Sequence, residues 1–178
     1  VLVLAVPRLL VLESLRKNSV GFPGRDAVIK SQRRLTFPES AFRDGAYLFK
    51  VSWGRVRRRI SISGQADLDS LGQVIIGAFD FTYDHLYRFA YRNRFGVLVR
   101  INHPELEEPP LTTDVRVGDL PLRPGGAMTY LYDFGDRWEF DVQLERIDPV
   151  EPCLDQARIV EVHGEAPVQY PWVDDGDE

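Results

Sequence analysis

AMTYLYDFGDRWEFDVQLERI, residues 127–147, is the stretch from which the fold is read. In its second half Trp138, Phe140, Val142 and Leu144 alternate with Glu139, Asp141, Gln143 and Glu145. Successive side chains of a strand point to opposite faces, so this alternation predicts a strand with one buried face and one acidic, solvated face. The first half is rich in aromatic and aliphatic residues and suits a partner strand, and DFGD (Asp133 to Asp136) reads as the turn of an antiparallel hairpin. Gly135 is expected to supply a positive-φ turn residue, Asp133 or Asp136 to accept from turn amides, and Phe134 or Trp138 to pack.

Upstream, YLFKVSW (Tyr47 to Trp53) and RVRRRISIS (Arg55 to Ser63) flank Gly54 and predict a second hairpin, with the arginines of RVRRR mostly on its solvent face. In ADLDSLGQVIIGAFDF (Ala66 to Phe81), Leu68, Leu71, Val74, Ile75, Ala78 and Phe79 recur at helical spacing. Asp67 is the expected N-cap, Asp69 suits the positive end of the helix dipole, and the helix is expected to end near Asp80. TYDHLYRFAY (Thr82 to Tyr91) and FGVLVRIN (Phe95 to Asn102) predict two further strands. Residues 103–114 read as a proline- and acid-rich loop, and residues 115–126 as a short strand or turn whose Gly125 and Gly126 permit positive φ. After Pro149 the pattern becomes irregular, and the acidic tail VDDGDE is expected to fray. The predicted class is α+β, a mostly antiparallel sheet with one main covering helix and β-grasp-like packing. The expected division is an N-terminal helix and linker arm over residues 1–45, the α+β domain over 46–150, and an irregular acidic extension over 151–178.

The 178 residues, 44% hydrophobic and 28% charged, fit one folded domain with an appended segment and exclude a chain disordered throughout. Cys153 is the single cysteine, which excludes an internal disulfide framework and any multi-cysteine metal cage. The histidines are His85, His103 and His163, so a histidine-built metal site is not expected. Net charge is −5, but residues 1–60 carry 13 Lys and Arg against 4 Asp and Glu, while the remainder carries 9 against 23. A basic arm before an acidic body suits nucleic acid, yet 19 of the 22 basic residues are Arg, a bias that GC-rich coding produces without selection for binding. The opening VLVLAVPRLLVLESLRKN lacks the leading charges of a secretory signal, and Pro7 and Arg8 interrupt its apolar run before it can span a bilayer. From Pro7 it predicts an amphipathic helix. These features lead to an expected cytoplasmic location without membrane association.

YLFKVS, the helix with DLDSLGQVIIGAF, DHLYRF (Asp84 to Phe89) and above all MTYLYDFGDRWEFDVQLE (Met128 to Glu145) together resemble the plasmid-borne third-open-reading-frame-like family, whose members are also labelled insertion-element passenger TnpR proteins. The resemblance covers about residues 46–150 and extends weakly through HGEAPVQYPW (His163 to Trp172). The matching positions are Asp84, His85, Tyr132, Asp133, Phe134, Gly135, Asp136 and Trp138. It implies a small β-grasp-like α+β fold and no established activity. The resolvase label finds no support in the chain, which has no nucleophilic serine set among arginines and no tyrosine with an Arg/His constellation. A departure is the segment after Pro152, where the resemblance implies further cysteines and this chain has only Cys153.

Three functions are open at this point. The first is a non-enzymatic interaction or regulatory module with a protein or peptide partner, whose binding surface is drawn from Asp84, Tyr87, Tyr130, Tyr132, Phe134 and Trp138. Tyr87, Tyr130 and Tyr132 would form a platform if they share an exposed face. The second is a metal-assisted hydrolase or nuclease with His85, Asp133 and Asp136 as catalytic candidates and a divalent cation on Asp133, Asp136 and Glu139, since hard cations need several oxygens on a rigid turn. It requires these side chains to converge in one cleft. No other cofactor is expected. Asp84 and His85, read as neighbours on a strand, are expected to point to opposite faces. The third is a DNA accessory using Arg55 to Arg59 and the N-terminal arm. Exposed sheet edges allow a homodimer.

Overall fold

Apolar residues recurring at every second position along most strands between Tyr47 and Leu144 give them one apolar face, and burying those faces together is what assembles the core of the sheet. The structure is a computed structural model that describes residues 41–149 and 157–170. Its strands are β1 (Ala46–Trp53), β2 (Val56–Ser63), β3 (Tyr87–Arg92), β4 (Leu98–Asn102), β5 (Ala127–Tyr132), β6 (Trp138–Asp148) and β7 (Arg158–His163), with α1 (Leu68–Ala78) between β2 and β3. They form one sheet in the order β4-β3-β5-β6-β1-β2-β7. Every pair is antiparallel.

The inner face is continuous across the sheet. Phe89 faces Tyr130, Tyr130 faces Phe140, Val142 faces Val51, and Phe49 faces both Leu144 and Ile60. Helix α1 adds Leu68, Leu71, Ile75 and Ile76 to this core, all fully buried. It approaches closely because residue 72 is glycine: a Cβ there would stand 3.2 Å from the Tyr130 hydroxyl oxygen and 3.4 Å from its ring. Asp67 caps the helix as expected, accepting from the Ser70 amide at 2.7 Å.

The expected α+β, β-grasp-like class is overturned. The fold is sheet-dominated, with seven antiparallel strands and one 11-residue α-helix among the described residues. Two local readings produced the error. The segment after Pro149, read as irregular, contains β7, which pairs with β2 and extends the sheet. Its residues are exposed throughout, so the apolar alternation that identifies a half-buried strand is missing. The helix, expected to end near Asp80, stops at Ala78, and Asp80 adopts φ 58.

Arg58 departs from the solvent-face reading of RVRRR. It lies on the inner face, 3% exposed. Its Nε donates to the Ala78 carbonyl at 2.7 Å and its Nη1 to the carbonyls of His163 and Gly164 at 3.1 Å each. Helix α1 has no basic residue in its last turn, so this strand residue supplies the positive charge at its negative end. The amphipathic N-terminal helix, residues 1–40, Cys153 and the acidic tail lie outside the described residues. Among the described residues, no helix is long and apolar enough to cross a membrane.

Candidate functional site

The end of the sheet where β3 begins and the β5–β6 hairpin turns is built by segments far apart in the chain. Strand β3 starts at Tyr87, five residues later than the strand read from Thr82. Residues 82–86 are therefore not extended strand, and Asp84 and His85 do not diverge to opposite faces. His85 Nε2 is 3.6 Å from Asp84 Oδ1, the same distance from Asp133 Oδ2, and 2.8 Å from the Tyr170 hydroxyl.

Tyr132 organises this segment from below. Its hydroxyl oxygen accepts from the amides of Asp84 at 2.9 Å and His85 at 3.2 Å, and its proton lies toward the Thr82 carbonyl at 2.5 Å. Burial raises its phenol above the usual tyrosine value, and the two amides partly oppose that shift by stabilising phenolate. Asp84 Oδ1 stands 3.1 Å from the same hydroxyl and accepts from Thr82 Oγ1 at 3.2 Å. Gln169 closes the far side. Its Oε1 accepts from the Thr82 amide at 2.7 Å and its Nε2 donates to the Tyr170 hydroxyl at 2.9 Å.

The DFGD turn is built differently from the expectation. Gly135 is not its positive-φ residue; Asp133 at φ 55 and Arg137 at φ 57 are. Asp133 tolerates that geometry because its own Oδ1 accepts from the amides of Gly135 at 2.8 Å and Asp136 at 3.3 Å, the Asx-turn device. Gly135 has another reason to lack a side chain: its Cβ would stand 3.2 Å from that oxygen. Phe134 lies beneath the Arg88 guanidinium, 4.4 Å from ring centroid to Cζ.

Several candidate residues take other places. Tyr87, Tyr130 and Tyr132 are fully buried, so these three form no exposed platform. Trp138 packs against Phe81 at 4.7 Å and Trp53 at 5.2 Å between ring centroids. Glu139 is exposed on the outer face of β6, which Trp138 and Phe140 leave by alternation, while Asp136 is exposed at the hairpin tip. The cation site drawn from Asp133, Asp136 and Glu139 is thus dispersed. Among the described residues, no group of three or more His, Cys, Asp or Glu is arranged to hold a metal ion. His85 and Asp133 do meet.

Sequence reasoning missed Thr82, Gln169 and Tyr170 as members of the cluster. Their contacts span up to 87 positions, beyond any local period. The stretch HGEAPVQYPW, which carries the weak end of the family resemblance, contains both Gln169 and Tyr170 and was the available signal.

Among the comparisons with known proteins a family model matches, and the relative and solved structure found beside it carry no named activity. A family model described as plasmid pRiA4b ORF-3-like protein matches residues 50–169. The uncharacterized protein y4hQ of Sinorhizobium fredii is 32% identical over 125 residues, covering 66% of this chain. The chain spans 61% of the length of that relative. A crystal structure of a protein of unknown function from Methanosarcina mazei Go1 is similar in fold, with TM-score 0.60 and 24% identity over 71% of this chain and 73% of the other.

Proposed function

The chain belongs to the plasmid pRiA4b ORF-3-like family, and from that premise we propose that it is a non-enzymatic interaction module. Its surface is the corner formed by Asp84, His85 and the Asp133–Asp136 turn, and its partner is a basic segment of a protein or peptide. One observation carries this reading: the polar groups of the corner are engaged with one another while the corner itself stays open to solvent. Asp133 Oδ1 holds turn amides, Asp84 Oδ1 holds Thr82, and the Tyr170 hydroxyl meets His85. The Thr82 hydroxyl belongs to the same web, within hydrogen-bond distance of Asp84 Oδ1 at 3.2 Å and of Gln169 Oε1 at 3.1 Å.

The side chains of Asp84 and His85 are nevertheless 56% and 38% exposed. A surface of this kind is rigid and carboxylate-rich, which suits recognition of cationic side chains by complementarity of charge rather than bond making. The test is fluorescence anisotropy with an arginine-rich and a glutamate-rich peptide of equal length on the full chain. The basic peptide is expected to bind, more weakly as salt rises, with Asp84→Asn and Asp136→Asn each reducing affinity by about threefold. Equal binding of both peptides, or binding indifferent to both substitutions, rejects the reading.

A further inference from the structure

On the sheet face opposite α1, far along the strand order from the His85 corner, three strands bring basic residues side by side. Lys50 of β1 stands opposite Arg59 of β2, and Arg57 stands opposite both Ser52 of β1 and His163 of β7. Lys50, Arg57 and Arg59 line an open depression together with Arg58 and Glu161. Like charges directly opposite one another on a sheet are destabilising, so this arrangement needs compensation.

Only Arg59 has it. Its guanidinium forms a two-point contact with Glu145, Nε to Oε2 at 2.8 Å and Nη2 to Oε1 at 3.1 Å, and its Nη1 reaches Glu161. Both nearby glutamates are therefore held by one arginine. Among the described residues, neither Lys50 nor Arg57 makes an ion pair. Asp141 of β6 stands opposite Ser52, is exposed, and makes no ion pair with Lys50 or Arg57. A body whose residues 61–178 carry 23 Asp and Glu thus leaves two cations uncompensated at one depression.

We propose that this depression binds a phosphoryl group, with Lys50 and Arg57 as its charge partners and the Ser52 hydroxyl as a neighbouring donor. Arginine contributes a fork of donors matched to phosphate oxygens and lysine a compact charge, and two cations balance a dianion where a single carboxylate would leave one unmet. The same chemistry is presented by free phosphate and by a nucleic-acid backbone. The site is independent of the corner proposed above and shares no residue with it.

The experiment is a titration of the full chain with inorganic phosphate, with acetate, and with a single-stranded oligonucleotide, read by amide chemical shifts and by affinity. Phosphate or oligonucleotide is expected to shift the amides of Lys50, Ser52, Arg57 and His163, and Lys50→Gln with Arg57→Gln to weaken that binding by at least about tenfold. Glu161→Gln, which removes a competing carboxylate, is expected to strengthen it. A response to phosphate alone identifies a small-molecule site, and a response to the oligonucleotide alone a backbone contact; either supports the assignment. Acetate binding as tightly as phosphate, shifts mapping elsewhere, or affinity unchanged in a Lys50→Gln/Arg57→Gln protein that melts like the parent overturns it.

Discussion

Tyr130 and Tyr132 are two residues apart on β5, share its inner face and are both fully buried, yet their hydroxyls have opposite fates. The Tyr132 oxygen ties together Thr82, Asp84 and His85. The Tyr130 hydroxyl is buried against α1 with no hydrogen-bond partner among the described residues. Removing a hydroxyl that satisfies several groups strands its partners, whereas removing an unpaired one relieves a desolvation penalty. Tyr132→Phe is therefore expected to destabilise the fold by about 1–3 kcal/mol, and Tyr130→Phe to be neutral or stabilising by about 1 kcal/mol. Chemical denaturation of the two variants checks the pair. Equal destabilisation would show that the two hydroxyls do not differ in this way. At this scale the sequence was partly legible. Asp133 as the acceptor for turn amides follows from its residue type, but which residues take positive φ does not: glycine tolerates that region best, yet Asp133 and Arg137 occupy it and Gly135 does not.

Helix α1 and strand β7 depend on the same side chain. Arg58 hydrogen-bonds the last helical carbonyl and the carbonyls of His163, which ends β7, and of Gly164 just after it, so it joins an element read from its period to one that its period concealed. Replacing it with leucine keeps the bulk and leaves three carbonyl groups without that donor. The expected cost is about 3 kcal/mol. Hydrogen exchange should accelerate first in β7 and the last turn of α1, and uniform acceleration across the sheet would count against Arg58 as a local clamp. The hairpins at Gly54 and at residues 133–137 and the N-cap at Asp67 were readable because each rests on neighbours within a few positions. Strand β7 was not, since its six residues are exposed and its identity as a strand comes from pairing with β2, about 100 positions away.

Across the whole molecule, the aromatic inner face makes stability sensitive to alkaline pH. Burial raises the phenols of Tyr47, Tyr87, Tyr130 and Tyr132 above their ordinary value, with Asp69 adding to the rise at Tyr87 through its hydrogen bond. A phenol whose folded pKa lies above its unfolded one binds its proton more tightly in the native state. Its contribution is fully present below the unfolded pKa and is lost as pH climbs toward the folded one. Stability should fall above about pH 10 by up to about 1.4 kcal/mol per pH unit for each such tyrosine. Phenolate absorbance should appear together with loss of the native circular dichroism signal. Ionisation of all 7 tyrosines while the fold persists would contradict this.

Local spacing determined that this chain makes hairpins, the amphipathic helix after β2 and a sheet with one apolar face, and its motifs pointed to the family. Those properties rest on periods of two and 3.6 residues and on turn chemistry, all encoded within a few positions. The tertiary structure alone decided the seven-strand order, the dominance of sheet over helix, the burial of Arg58 and of the tyrosines, and the meeting of His85 with Asp133 and Tyr170. Each of these is set by contacts between distant segments, where burial of a shared apolar face and satisfaction of buried polar groups outweigh what any local stretch prefers.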